Sequence, residues 1–266
     1  MAASDSSTAT RPRKERTENA ARRRRQIIDA TIRSVVRNGL TGTTLATVSA
    51  EAGLSQGVAV FYFQNKQTLL GEVLRHQYEI YQDTWQRALA RAGDEPVERM
   101  IALVRADFDP RVFNAESLVI WHAFWGEAGA RPLYAEISGN YDAARFAAIS
   151  GATADLLAGA DRPAAEAAAL ATGIDALTDG LWLRAYLSAG TMDRQEALAI
   201  TARFLAAAIP EHADDFMAGL CGGGNWGRFA LLFEGDLVET RSASGTNQRL
   251  VGYVETNLLI SRGLSL

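Results

Sequence analysis

Two sets of side chains in this chain of 266 residues could do chemistry. The first lies in GLSQGVAVFYFQNKQTLL, from Gly53 to Leu70. There a hydroxyl, an amide and a glycine (Ser55, Gln56, Gly57) run into Val58, Val60, Phe61, Tyr62 and Phe63, and the segment continues to Lys66. Ser55 and Gln56 can hydrogen-bond phosphates or base edges, Gly57 lets a partner approach the backbone closely, and Val58 with Val60 can touch thymine methyl groups. Phe61 and Tyr62 suit a sugar-phosphate chain, Phe63 suits a core, and Lys66 offers a point charge to phosphate. The second set is two stripes. FDPRVFNAESLVIWHAFWGEA puts Trp121, Phe124 and Trp125 at i, i+3, i+4, and GIDALTDGLWLRAYLSAG puts Asp175, Asp179, Trp182 and Tyr186 at i, i+4, i+7, i+11. Two carboxylates in line with indole and phenol faces suit a cation, a quaternary ammonium above all. Aromatic stripes at helical spacing also serve as core or as a subunit interface, so both uses stand at this point.

The elements that must position these groups read as helices. Residues 1–18 are polar and basic with no apolar period, the pattern of a disordered arm. Ile27, Ile28, Ile32, Val35 and Val36 then follow a 3.6-residue period, predicting a first helix from about Glu18 to Asn38 with Gly39 as its stop. Arg22, Arg23, Arg24 and Arg25 fall in its opening turns, where positive charge opposes the helix dipole and a phosphate partner would relieve it. Thr43 and Thr44 can cap a short helix to Ala52, Gly53 breaks it, and Ser55 can cap a third. Two short helices joined by a Gly-containing turn make a helix-turn-helix.

A long helix follows from Asn65 to about Ala92. Later starts are read at Asp94 with Pro96, at Asn114, at Pro132, at Pro163 and at Asp193. Their predicted ends lie near Asp109, near Gly129, beyond a possible break at Gly139, near Gly190 and at Pro210. The sequence thus predicts an all-α protein. Residues 1–18 form an arm, 19–65 a three-helix helix-turn-helix head, and 66–210 a helical body for effector binding and dimerisation. After Pro210 the composition shifts, CGGGNWG appears and RFALLFEGDLVETR alternates like a strand; residues 211–266 are left unassigned.

Charge separates the same two regions. The net charge is −4, yet residues 1–75 carry 12 basic and 6 acidic side chains while the remainder carries 15 and 25. A basic head on an acidic body fits a polyanion at one end and a different task at the other. One cysteine and three histidines leave neither an internal disulfide nor an obvious metal cage, so no metal or cofactor is expected. No apolar run approaches the roughly 20 residues that span a bilayer, and the N-terminal segment lacks the apolar core of a targeting peptide. The reading is a cytoplasmic protein with no membrane partner.

The string TTLATVSAEAGLSQGVAVFYFQNKQTLL resembles the DNA-binding segment of tetracycline-repressor-type (TetR) regulators. The resemblance rests on Thr44, Val48, Ala52, Gly53, Leu54, Ser55, Gly57, Tyr62, Phe63, Lys66 and Leu69. It implies DNA contacts from Thr44, Gln56, Val60, Phe61, Tyr62 and Lys66. Their charge, not the resemblance, gives Arg22 to Arg25 and the arm a mainly sequence-independent share of the affinity. The body, through its F-D, W-x-A-F-W and D-G-L-W-L-R-A strings, resembles the choline-responsive repressors of the glycine-betaine pathway (the BetI subgroup). That implies a repressor binding a palindromic operator as a homodimer and released by a small-molecule effector of the choline type. The last two body helices, with Gly180 and Gly190, are the dimer candidates. Two other classes compete. An enzyme lacks any recognisable motif here; His122 with Asp179 is the one acid–base pair on offer, and no catalytic residue is assigned. A nonspecific architectural DNA binder would carry an extended basic surface rather than an acidic body.

Overall fold

The computed structural model describes residues 13–126, 131–160, 162–188 and 192–222. Residues 1–12 of the predicted arm, Gly129, Gly190 and everything from residue 223, including the strand-like RFALLFEGDLVETR, lie outside them. Among the described residues every regular element is helical, as the sequence predicts.

The first helix, α1 (Arg13–Gly42), bends at Gly39, whose φ of 67° only glycine adopts without strain. It starts at Arg13 rather than near Glu18, so residues 13–18 are helix and not disordered arm. Arg, Lys and Glu are good helix formers even without an apolar face. A second correction follows: Arg22 to Arg25 lie well inside α1, and their supposed clash with its dipole disappears, since that effect fades within one turn.

Helix α2 (Leu45–Ala52) is capped by Thr44, whose hydroxyl accepts from the Thr47 amide at 3.1 Å while Thr47 answers the Thr44 amide at 2.8 Å. Gly53 ends it in the left-handed region at φ 65°. Helix α3 (Gln56–Phe63) follows, with Ser55 at its N-cap making no capping hydrogen bond. Between α3 and α4 (Lys66–Ala92) the chain turns on Gln64 at φ 61°, ψ −53°, closed by the Asn65 amide on the Phe63 carbonyl at 2.6 Å. A positive-φ γ-turn of this kind is strained and fixes the angle between the two helices. Ile27, Val35, Val48, Ala59 and Phe63 are fully buried and form the head's core.

The body comprises α4, α5 (Pro96–Asp107), α6 (Ala115–Gly126), α7 (Arg131–Gly159), α8 (Ala164–Leu187), α9 (Arg194–Ala208) and α10 (Ala213–Cys221). Helix α7 runs straight through Gly139, where no break occurs. Helices α4 and α7 cross closely at Gly71: a Cβ there would meet Leu133 Cδ1 at 3.2 Å. Pro210 does not end the helical body. It opens one 3-10 turn to His212, and α10 then packs on α9, burying Phe216 and Leu220. A Cβ on Gly219 would run into Ile101 of α5, so α10 is seated in the body. The helical body therefore reaches Cys221, because ADDFMAGLC keeps an amphipathic period that the nearby shift in composition obscures.

Candidate reading surface and ligand cavity

The third helix divides its side chains sharply. Ala59 and Phe63 have no exposure and lock α3 onto the head. Phe61 is 80% exposed and Val60 41%, and Ser55, Gln56 and Gly57 are exposed beside them. Tyr62 is half-buried, its ring edge-on to Phe61 at 5.2 Å. A Cβ built on Gly57 would meet nothing within 4 Å, so no packing inside the chain demands glycine there. Thr44 is exposed but occupied with its capping box. Lys66 reaches back to the Thr41 carbonyl at 3.1 Å.

The four arginines are not equivalent. Arg22, Arg23 and Arg25 are exposed, and among the described residues they bond near neighbours on their own helix, Asn19, Gln26 and Asp29. Arg24 reaches Glu72 of α4 at 2.6 Å while its guanidinium lies 4.8 Å over the Phe63 ring. One side chain thus ties α1, the reading helix and the long helix together.

In the body, α4 to α8 enclose a cavity of about 300 Å³. Trp121 and Trp125 of α6 and Asp175, Asp179 and Trp182 of α8 line it, five of the seven residues proposed from the sequence. The other two are corrections. Phe124 is 1% exposed in the core, because adjacent positions on a helix point about 100° apart and Phe124 therefore turns away from Trp125. Tyr186 shares the stripe's angle but lies about 16 Å along α8 from Asp175, past the cavity's end. It stacks instead on His122, with ring centroids 4.7 Å apart. His122 does not line the cavity, and its Nε2 is buried without a hydrogen-bond partner among the described residues.

Seven lining residues escaped sequence reasoning: Thr178 on α8 itself, and six from helices with no visible stripe, namely Tyr78 and Tyr81 on α4, Asp107 on α5, and Tyr134, Asp142 and Arg145 on α7. Two networks hold those on α4, α5 and α7. Arg145, 4% exposed, gives both Asp107 oxygens a hydrogen bond at 2.8 Å, Tyr81 donates to Asp107 at 2.7 Å, and the Arg145 Nε donates to Tyr81 at 3.1 Å. The Trp182 indole completes this set on the Asp107 carbonyl at 3.0 Å. In the second network the Trp125 indole donates to the Tyr134 hydroxyl at 2.8 Å, and the Tyr78 hydroxyl lies 2.7 Å from Tyr134 and 2.9 Å from Asp142. A phenol has one proton to give; with Asp142 ionised, Tyr78 gives it there and accepts from Tyr134.

Electrostatics set the remaining groups apart. Burial lowers the tendency of Arg145 to stay charged, but the Asp107 carboxylate more than offsets it. Asp142 and Asp175 are pushed above the ordinary carboxylate range by burial. Asp179 is pushed up to about 7, by burial first and then by Asp175, Asp107 and Asp142. Its carboxylate has no hydrogen-bond or ion-pair partner among the described residues. A cavity walled by indoles and phenols and carrying uncompensated carboxylates can hold a desolvated organic cation, where each ring face contributes about 0.5–2 kcal/mol. Among the described residues no group of His, Cys, Asp or Glu could hold a metal ion, and no helix is long and apolar enough to cross a membrane.

Comparison with known proteins agrees with both halves. Residues 27–73 match the model for bacterial regulatory proteins of the tetR family, and residues 96–210 match that for the C-terminal domain of BetI-type transcriptional repressors. The HTH-type transcriptional regulator BetI of Burkholderia thailandensis is 37% identical over 179 residues, 66% of this chain and 88% of that relative. Its counterpart in Burkholderia cenocepacia is 36% identical over the same shares. Among solved structures, a protein of Pseudomonas aeruginosa PAO1 assigned as a transcriptional regulator has a TM-score of 0.65 at 23% identity, covering 74% of this chain and 94% of its own. Another so assigned, from Saccharomonospora viridis and solved in complex with choline, has a TM-score of 0.56 at 20% identity, covering 74% and 96%.

Proposed function

The chain belongs to the tetracycline-repressor family of bacterial transcriptional regulators, with a BetI-type C-terminal domain; within that family we propose that it is a homodimeric repressor released from a palindromic operator by a choline-like cation. One observation carries the reading. A helix end that leaves Ser55, Gln56, Gly57, Val60 and Phe61 without internal use is bound through Arg24 and Glu72 to α4, and α4 also presents Tyr78 and Tyr81 to the cavity.

The head, residues 19–65, places α3 in the major groove with its N-terminus leading, while α2 crosses the backbone. Thr44, Ser55 and Lys66 meet phosphates, and Gln56, Val60, Phe61 and Tyr62 meet base edges and sugars. The body begins at Lys66. Tyr78 lies about 18 Å along α4 from Lys66, so a ligand that draws Tyr78 and Tyr81 inward tilts the helix on which the head is fixed. The ligand need only bind one tilt better than the other to shift the population.

The trimethylammonium group of choline would lie in the cavity against the wall formed by Trp121, Trp125 and Trp182, with Asp175 and Asp179 supplying charge, and the choline complex of the Saccharomonospora viridis protein supports that class of ligand for this fold. The dimer forms on α8 and α9. Thr172, Ala176, Gly180, Leu183 and Leu187 lie along one exposed stripe of α8, with Leu187 69% exposed, a surface suited to a four-helix bundle across the twofold. Such a protein works beside DNA in the cytoplasm.

Selection from a random oligonucleotide pool tests the reading. The expected outcome is an enriched palindrome, its half-sites separated by about one helical turn of 10 bp or a related spacing, bound by a dimer and released by millimolar choline. An unenriched pool would reject specific recognition, and an enriched palindrome that choline leaves bound would reject this effector class.

A further inference from the structure

The cavity holds more negative charge than a monovalent ligand needs. Asp107 and Arg145 pair within a set that includes Tyr81, although the buried Nη1 of Arg145 has no hydrogen-bond partner among the described residues. The pair still acts on Asp175 and Asp179, Arg145 favouring and Asp107 opposing their ionisation. Asp142, Asp175 and Asp179 remain, and no cation of the described chain bonds any of them. Asp175 and Asp179 are one helical turn apart on α8, and Asp142 faces the same 300 Å³ from α7. The other groups facing them are the phenols Tyr78 and Tyr81 of α4 and Tyr134 of α7, with Trp121 and Trp125 of α6 bringing no charge. Asp142 and Asp179 keep contact with solvent and Asp175 is half-buried, yet three carboxylates lining one cavity of this size still repel one another when all are ionised.

We propose that the cavity selects its ligand by net charge and exchanges it for a proton: a permanent cation enters as a proton leaves the Asp142–Asp175–Asp179 set to bulk water. This rests on reading the cavity as a cation site and adds two properties to it. A zwitterion bearing the same trimethylammonium group is excluded, because its own carboxylate joins three others. A neutral molecule of the same shape binds weakly, because the rings and carboxylates then have no charge to attract. The elevated titration range of Asp179, about 7, puts the exchange inside the range where a cell's pH would alter sensitivity.

Calorimetry on the full chain tests this with three ligands of nearly one shape: choline, its uncharged carbon isostere 3,3-dimethylbutanol, and the zwitterion trimethylammonioacetate. Each is titrated in phosphate and in Tris at pH 7. Choline is expected to bind about a hundredfold tighter than either of the others. Its heat should differ between the buffers by the number of protons released times the difference between the two buffers' ionisation enthalpies, because each buffer takes up the proton with a different heat. Choline affinity should rise with pH from 6 to 8, by up to tenfold per unit where one full proton is released. Asp179→Asn should flatten that rise; Asp142→Asn provides the same test if the first variant folds poorly. Equal binding of all three ligands would overturn charge selection, and identical choline heats in both buffers would overturn the proton exchange, each while leaving a ligand-binding regulator. Binding of none would remove the cation reading as well.

Discussion

The reading helix and the cavity expose function in opposite ways. On α3 the informative side chains are those the fold does not use: Phe61 at 80% exposure, Val60 at 41%, and a glycine that nothing crowds. In the cavity nearly every polar group is committed, Asp107 to Arg145 and Tyr81, Tyr78 to Asp142 and Tyr134, and the informative groups are the few left over, Asp175 and Asp179. A surface site is recognised by residues without an internal purpose. A cavity site is recognised by charge without an internal partner.

The largest expected effect comes from breaking the cavity's own scaffold. Asp107→Asn leaves the guanidinium of Arg145, 4% exposed, with no carboxylate. Removing one partner of a buried ion pair costs about 3–5 kcal/mol, so chemical denaturation should show a loss of that order. Replacing both at once, Asp107→Leu with Arg145→Met, should recover most of the stability yet keep ligand binding impaired. A double variant as unstable as the single one would mean the pair is not the unit described here.

At the reading helix a single methyl separates stability from function. Gly57→Ala meets no atom of the chain and improves helix propensity, so the free protein should gain about 1 kcal/mol. Operator affinity should nonetheless fall by about tenfold or more, roughly 1.4 kcal/mol, because the methyl stands where the DNA backbone approaches. Melting temperature and band-shift titration read the two signs. A variant that is both more stable and as tight on DNA would leave Gly57 without a role in contact.

The same contrast explains what the sequence made legible. The head is local: Thr44, Gly53 and Ser55 punctuate its short helices, and its residues act within one stretch of chain. The cavity draws on five helices. Only α6 and α8 advertise themselves, through indoles and carboxylates at helical spacing. Tyr78, Tyr81, Asp107, Tyr134, Asp142 and Arg145 sit singly on helices whose pattern is otherwise ordinary core, and only packing brings them together. Phe124 was misread because a three-residue step swings a side chain away from one four-residue step further on. The boundary at Pro210 was misread because proline opens a helix as readily as it ends one.

A smaller effect, again of two signs, is expected at Asp179. Its carboxyl is raised to about 7 from an ordinary value near 3.8, so the folded state holds the proton more tightly than the unfolded chain does. This favours folding at low pH, and the advantage fades as pH rises from about 4 through 7. At pH 8 the charge opposes folding, and Asp179→Asn should raise the melting temperature of the unliganded protein. The carboxylate faces open space in the cavity and solvent softens the penalty, so the gain should stay near 1 kcal/mol or below, about 2–4 °C. The stabilisation that choline gives the parent protein should largely vanish in the variant. An unchanged melting temperature at pH 8 would mean that Asp179 is not under the strain inferred for it.

The smallest effects should separate neighbouring arginines on α1. Arg25 is exposed and, among the described residues, bonds Asp29 one turn away, an ion pair worth about 0–1 kcal/mol, so Arg25→Gln should leave stability unchanged. If Arg25 meets a phosphate, the log–log dependence of operator affinity on salt should flatten by about 0.9, and affinity near physiological salt should fall only several-fold. Arg24→Gln should behave differently. It removes the 2.6 Å bridge to Glu72 and the cover over Phe63, so it should loosen the joint between the reading helix and α4. The expected signature is a salt slope close to the parent's, a small loss of stability, and a weaker response of DNA binding to choline. The two variants sit side by side on one helix and carry the same charge change. If their salt slopes fell alike, Arg24 would belong with the DNA-facing arginines, and the link from cavity to reading helix would have to run through the α3–α4 turn at Gln64.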